Sequence, residues 1–280
     1  MKHDELSTRM KENYENRSKT YLTRRVPVII RLDGKAFHTF TKHFKKPYDE
    51  IFHSAMNDTM KYLCENIQGC KVGYTQSDEI TLLLTDYDTL STDAWFNYSV
   101  QKMCSIAASM ATLEFNRQLY NYWTANSFEE DNSSDYLDAV FAAINKGACF
   151  DARCFNIPRE EVTNCFIWRQ KDATRNAIQM LGQVCFSHKE LDRKSQNDIQ
   201  DMLMTKKGIN FNDMPVKFKR GVCCYKTEQE HIEVDFKTKE EVRSLRSTWV
   251  LDYDIPIFTQ DRHYIERFVN ERFVNTDEAI

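Results

Sequence analysis

Glycine and proline are scarce, with seven and five copies in 280 residues, and no tract of low complexity or internal repeat interrupts the chain. Repeat arrays and long flexible linkers are therefore excluded as its organising principle. No run of about 18 apolar residues occurs, so a membrane-spanning helix is not expected. The opening Met1-Lys2-His3-Asp4-Glu5 lacks the apolar segment of a signal peptide, and a cytoplasmic location with no membrane partner follows as the expectation. The nine cysteines show no Cys-x-x-Cys spacing and lie in apolar stretches such as Tyr62 to Cys64 and Val184 to Phe186. With no paired histidines beside them, buried reduced thiols are expected rather than zinc ligands. Adjacent Cys223 and Cys224 would point to opposite faces of a strand. Positive charge is not in excess either: 38 basic against 42 acidic residues leave a formal charge of −4. That balance argues against a protein that coats nucleic acid nonspecifically, which needs many phosphate contacts. Local basic patches remain, at Arg17, Lys19, Arg24 and Arg25, at Lys42, Lys45 and Lys46, and at Lys217, Lys219 and Arg220. By composition alone each is an ordinary solvated face.

Against this background, 41% hydrophobic residues are enough for a sizeable core in one large domain or two small ones. Val26 to Leu32 is β-branched and ends at Asp33-Gly34, which predicts a buried strand followed by a turn. From Pro47 to Ile67 the residues Phe52, Met56, Met60 and Leu63 recur at helical spacing. Cys70 to Thr85 holds two apolar segments around Gln76-Ser77-Asp78-Glu79, which predicts a β-hairpin with acids at its tip. A second helix is expected over Thr92 to Tyr120, with Val100, Met103, Ala107, Met110 and Ala111 as its buried stripe. The polar stretch that follows, 124–148, reads as a surface excursion or lid. A strand at Ala152 to Ile157 and a helix from Glu160 to Phe186 complete the pattern. Strand, helix, two strands, helix, strand is the split βαβ arrangement of an α+β fold, with a ferredoxin-like antiparallel sheet, helices on one face and the other face free for a ligand. Residues 1–225 are expected to form this catalytic unit. Residues 226–280 read as a C-terminal extension: a strand at His231 to Phe236, a charged stretch at Lys239 to Arg246, and a helix at Tyr264 to Val274 carrying Ile265, Phe268, Val269 and Phe273. It would pack on that unit or on a partner subunit, and RNA contact is an equal alternative.

In such a sheet the end of the first strand lies beside the tip of the following hairpin, so Asp33 and the Asp78-Glu79 pair can converge. Convergent carboxylates repel unless a cation sits between them. Two Mg²⁺ ions would do this, taking hard oxygen ligands together with substrate phosphates. Strand alternation sends Asp78 and Glu79 to opposite sides, and spacing does not say which one joins Asp33. Gly34 allows close backbone approach, so the amides of Lys35, Ala36, Phe37 and His38 could wrap a triphosphate. Taken singly, these turns are equally well read as solvated loops. Trp168, Phe166 and the methionine stripes read as core, and Arg153 beside Asp151 reads as an ordinary ion pair.

Four motifs in order, Arg31-Leu32-Asp33-Gly34-Lys35-Ala36-Phe37, Phe44-Lys45-Lys46-Pro47, Tyr74-Thr75-Gln76-Ser77-Asp78-Glu79 and Trp168-Arg169-Gln170, closely resemble the tRNA(His) guanylyltransferase superfamily. The resemblance covers most of the chain, strongest up to about Tyr225. It implies a polymerase-like palm that extends RNA in the 3′-to-5′ direction. It further implies Asp33, the Gly34 carbonyl and Asp78 as ligands of two Mg²⁺ ions, with Asp33 and Asp78 catalytic. Nucleotide would then be held by residues 33 to 38, Ser77 and Asp78, with Lys46 and Lys102 near the triphosphate and Asn176 near the nucleotide. ATP would activate a 5′-monophosphorylated tRNA end, and the 3′-hydroxyl of GTP or another NTP would then attack it. The resemblance also implies a homotetramer built as a dimer of dimers.

One departure refines the expectation. Eukaryotic members carry His-Ile-Asn-Asn-Leu-Tyr-Asn-Thr after the Trp-Arg-Gln-x-Asp-x motif, whereas Thr174 to Leu181 here lacks the histidine and the tyrosine and keeps only Asn176. That resembles the bacterial and archaeal-type members, whose activity is template-directed repair of tRNA 5′ ends. Two alternatives stand beside it. A palm-type nucleotide cyclase would need a Gly-Gly-Asp/Glu-Glu-Phe hairpin, which is absent here. A non-catalytic RNA-binding or nucleotide-sensing module would tolerate loss of either metal carboxylate, and both are present.

Overall fold

The computed structural model describes residues 5–126, 133–234 and 241–270. Six strands, β1 (Val28–Gly34), β2 (Cys70–Gln76), β3 (Glu79–Leu84), β4 (Phe150–Asn156), β5 (Val222–Val234) and β6 (Glu241–Asp252), form one sheet in the order β4-β1-β3-β2-β5-β6. Every pairing in it is antiparallel. Among the described residues the helices are α1 (Glu5–Asn13), α2 (Phe37–Phe40), α3 (Glu50–Asn66), α4 (Val100–Asn126), α5 (Ser134–Lys146), α6 (Arg159–Cys185), α7 (His188–Leu191), α8 (Gln196–Lys207), α9 (Val216–Arg220) and α10 (His263–Asn270). The βαββαβ order expected from the sequence is present, in an α+β, palm-like arrangement.

Alternation along β1 and β3 sorts the core into two layers. Ile30, Leu32, Ile80 and Leu82 pack against Met56, Met60 and Leu63 of α3 and Met103, Ala107 and Phe115 of α4. Each of the larger of these side chains, fully buried, contributes roughly 1.5–3 kcal/mol, so these stripes rather than intrinsic propensity hold the helices down. The opposite face carries Ile29, Val72, Tyr74 and Leu83, which meet Val162 and Phe166 of α6, Phe258, and Ile265 of α10. That face is therefore not left free along its length, as the strand order alone suggested: α6 returns across it, and the C-terminal segment adds a second cover. Cys223 and Cys224 sit one in each layer, and all nine cysteines are unpaired thiols.

Three boundaries differ from the sequence reading. α4 starts at Val100, after a short turn at Trp95–Tyr98, and runs on to Asn126. The stretch read as a polar excursion folds over Ser134–Lys146 into α5, because Tyr136, Val140 and Ala143 recur at helical spacing and are buried. The Ser133 side chain caps it by accepting from the Tyr136 amide. The expected boundary near residue 225 falls inside β5, whose first residues pair with β2, so the C-terminal segment supplies two strands of the same sheet. Phe273 of the expected last helix lies outside the described residues, as do 235–236 and 239–240 of the strand and charged stretch expected before it.

Candidate active site

β1 ends where the β2–β3 hairpin turns. The Gly34 amide donates to the Asp78 carbonyl at 3.0 Å, and Asp33 stands opposite Glu79 on β3 and Asp151 on β4. The end of the first strand and the hairpin tip are thus neighbours, as the topology required. The loop leaving β1 is tightly folded. A Cβ on Gly34 would lie 2.4 Å from the buried Phe37 ring. Ala36 adopts φ 56° and Ser77 φ 49°, a left-handed conformation that costs non-glycine residues of order 1 kcal/mol and clusters at functional loops. The Lys35 amide is used to bind the Cys149 carbonyl at 2.9 Å, which removes one of the four amides expected to face a triphosphate.

α6 treats the two hairpin acids differently. Arg169 places its Nε 2.6 Å from Glu79 and its Nη1 2.8 Å from Asp172, with Arg169 and Glu79 both buried. Glu79 therefore has a cation of its own, although burial still pushes its carboxyl up against that pull. Asp78 lies in the turn itself. Burial pushes its carboxyl up, and the neighbouring Asp33 charge adds to the effect. Among the described residues Asp33 makes no ion pair.

Beneath the turn a cavity of about 610 Å³ opens between the β1–α2 loop, the start of α3 and the second half of α6, a size in the usual range for small-molecule sites. Gly34, Ala36, Phe37, His38, Lys46, Ser77, Asp78 and Asn176 all line it. Asn176 is exposed on α6, between the buried Ala173 and Ala177. Lys46 makes no ion pair among the described residues. Asp49, also in the wall, is occupied: as the N-cap of α3 it accepts from the Phe52 and Lys45 amides, each at 2.9 Å, and from the Tyr136 hydroxyl at 2.8 Å.

Several lining residues were not singled out as site residues by the sequence. Tyr48 stacks on Phe218 of α9, with ring centroids 4.3 Å apart and planes at 4°, and burial pushes its hydroxyl up to about 12. His53 lies edge-on to Phe218, and burial holds its imidazole down to about 4. Lys217 reaches Glu50 at 2.7 Å. An aromatic among cations, Lys217-Phe218-Lys219-Arg220, was the available signal for α9.

Other expected residues lie outside the cavity. Asp33 adjoins it through Gly34 but belongs to the sheet face that carries Arg31, two residues back on the same strand. Lys35 is exposed beyond the cavity lining. Lys102 stands at the far end of α4, with its ammonium 5.7 Å from the Phe96 ring. The part of α4 beside the site is Thr112, whose hydroxyl accepts from the Phe150 amide opposite Gly34; Lys102 is roughly 15 Å back along the helix axis. The basic residues Arg24 and Arg25 are bound to Asp86, and Arg153 pairs with Asp151 at 2.8 Å as expected.

A sheet of this order, with acidic groups at the β1 end and hairpin tip above a lysine-bearing cavity, is the arrangement of the palm-like nucleotidyltransferases, and the comparisons with known proteins agree. The family model described as tRNAHis guanylyltransferase matches residues 7–158, and the chain belongs to that family. A bacterial tRNA(His) guanylyltransferase-like protein solved in complex with ATP is 40% identical, with a TM-score of 0.76 over 96% of this chain and 100% of that one. A bacterial tRNA(His) guanylyltransferase-like protein in complex with GTP is 38% identical, with a TM-score of 0.75 and the same coverage. The tRNA(His) guanylyltransferase of Saccharomyces cerevisiae is 27% identical over 222 residues, which is 74% of this chain and 86% of that protein.

Proposed function

We propose that this protein adds nucleotides in the 3′-to-5′ direction to the 5′ end of tRNA, directed by the opposite strand, as a repair activity of the guanylyltransferase-like kind. The observation that carries the reading is the junction of Asp33, Gly34 and Asp78 above the cavity, in a chain whose close relatives were solved with ATP and with GTP. A 5′-monophosphate oxygen of the RNA attacks the α-phosphorus of ATP and displaces pyrophosphate. The 3′-hydroxyl of the incoming nucleotide then attacks the activated 5′-phosphorus and releases AMP. In this reading Ala36, Phe37, His38, Lys46 and Ser77 surround the triphosphate, Lys35 borders it from outside, and Asn176 meets the nucleotide from α6.

The donors present fit Mg²⁺. Asp78 is a half-buried carboxyl pressed by the charge of Asp33, which makes no ion pair among the described residues. Among the described residues no group of three or more His, Cys, Asp or Glu converges, so an ion here would rest on Asp33, the Gly34 carbonyl, Asp78 and substrate oxygens, the usual environment of magnesium. When bound, two such ions lower the pKa of the attacking hydroxyl and neutralise charge on the leaving group. The residues themselves orient the triphosphate and exclude water from it.

A homotetramer belongs to the same reading, and the exposed Ile106, Leu113 and Tyr120 on α4 are suited to a subunit contact. Its mass in solution tests that part. A cytoplasmic location accords with a tRNA substrate, and among the described residues no helix is long and apolar enough to cross a membrane.

The decisive assay supplies Mg²⁺, ATP, labelled GTP and a 5′-monophosphorylated tRNA lacking its first nucleotide. Extension by one labelled nucleotide is the expected result. A cyclic dinucleotide formed without RNA, or RNA retained without turnover, would replace the proposal by a cyclase or a binding module.

A further inference from the structure

Trp168, expected in the core, is 50% exposed. The next residue, Arg169, is locked to Glu79 and Asp172 and lies 4.3 Å from the indole centroid, so the ring is held from the protein side while half of it remains open. The Arg31 guanidinium stands 5.4 Å from the same centroid. Arg31 makes no ion pair among the described residues, and its buried Nε has no hydrogen-bond partner. It precedes Asp33 by two residues on the same face of β1, and Arg153 stands directly opposite it on β4.

These features lie on the Asp33 side of the strand end, whereas the cavity lies on the Gly34 and Asp78 side. Joining two nucleotides requires both to reach the same carboxylates, and the cavity accounts for one of them. An exposed indole offers a π face for any base, and a guanidinium fork matches a phosphate. We propose that Trp168 and Arg31 form the docking platform for the 5′-terminal nucleotide of the RNA, the indole stacking on its base and the guanidinium binding its phosphate. The proposal rests on the nucleotidyl-transfer reading above and adds the position of the second reactant.

Two measurements test it. In steady-state extension of the truncated 5′-monophosphorylated tRNA, Trp168→Ala is expected to raise KM for RNA ~10-fold, in the range of lost base–aromatic stacking. KM for GTP should stay within about twofold, and Trp168→Phe should recover most of the loss because a π face returns. An unchanged RNA KM, or an equal rise in both constants, overturns the platform. Separately, tryptophan fluorescence is followed while a short 5′-phosphorylated oligonucleotide is added without ATP or GTP. Quenching is expected in the wild type, and it should vanish in Trp168→Phe or when the first position of the oligonucleotide is abasic. No quenching in the wild type overturns the proposal. Quenching without any extension would sink the enzymatic reading and leave the platform standing. A change of solution mass in Trp168→Ala with quenching by the oligonucleotide intact for Arg31→Met would assign the face to a second subunit and also overturn it.

Discussion

Asp33 and Glu79 are direct cross-strand partners in the pairing of β1 with β3, yet among the described residues only Glu79 is ion-paired, to the Arg169 guanidinium 2.6 Å away. Two carboxylates on neighbouring strands thus have different roles. One is tied into a buried ion pair that anchors α6 to the sheet; the other stays available beside Asp78. The pairing also explains why the hairpin can present three consecutive polar residues, Ser77, Asp78 and Glu79, without three unsatisfied groups.

Asp33→Asn and Asp78→Asn should each reduce extension at least ~1,000-fold, since both act on the same ions. The melting temperature without magnesium should hold or rise, because each substitution removes repulsion between two acids. Thermal shift against Mg²⁺ concentration checks the assignment: an upward shift in the wild type should be absent from both variants. A variant that keeps wild-type turnover would remove its residue from the metal set.

Arg169→Met should destabilise the protein by about 3–5 kcal/mol, the usual cost of leaving a buried partner charge unpaired. Adding Glu79→Gln should return a substantial part of that loss, because the orphaned charge goes with it. Urea denaturation of both single variants and the double variant gives the comparison. Equal stability of Arg169→Met and the wild type would mean the ion pair anchors nothing.

His53 gives a pH dependence of defined sign. Its imidazole is held down to about 4 by burial, against about 6.5 for a histidine in an unfolded chain. Between those values the unfolded state binds more protons, so this contribution is complete above about pH 6.5 and is lost as pH falls toward 4. The partly exposed ring limits the loss to roughly 2–3 kcal/mol. In His53→Phe, which keeps an aromatic ring against Phe218, urea midpoints measured over this range should fall less steeply than in the wild type. Parallel slopes would contradict the buried neutral histidine.

Gly34→Ala should disturb the β1–α2 loop, because the new methyl would meet the Phe37 ring at 2.4 Å. Phe37 cannot yield freely, packed as it is with Phe40, Phe52, Phe115 and Phe150. Overpacking of this kind costs roughly 1–3 kcal/mol. The displaced loop should weaken GTP binding at least ~10-fold by calorimetry, the change a shift of about 1.4 kcal/mol produces. Unaltered affinity would show that this loop does not touch the nucleotide.

The sequence made the sheet legible because its strands obey a period of two and its covering helices a period near 3.6, and because Asp33-Gly34 and Ser77-Asp78 mark turns by chemistry alone. The motifs then brought Gly34, Ala36, His38, Lys46, Ser77, Asp78 and Asn176 to one cavity. What stayed hidden depended on contacts distant in the chain. Glu79 was separated from Asp78 by an arginine ninety residues away. Trp168 fits a helical apolar stripe equally well whether it faces a sheet or solvent. Lys102 had the right charge on the right helix, but spacing does not reveal toward which end of the sheet that helix begins. α5 was masked by its polar neighbours, which outweighed three buried residues.

α6 is a single helix of 27 residues, roughly 40 Å long. Its first half packs Phe166 on Tyr74 beneath the sheet, and its second half forms a wall of the cavity before joining α8 through Ile178, Leu181 and Ile199. A wall made from such a rod cannot swing outward by itself, because the motion would pull Phe166 from its seat. If the cavity holds the nucleotide as proposed, it would meet a receptor already shaped in the free protein, and little binding energy would be spent on rearranging that side.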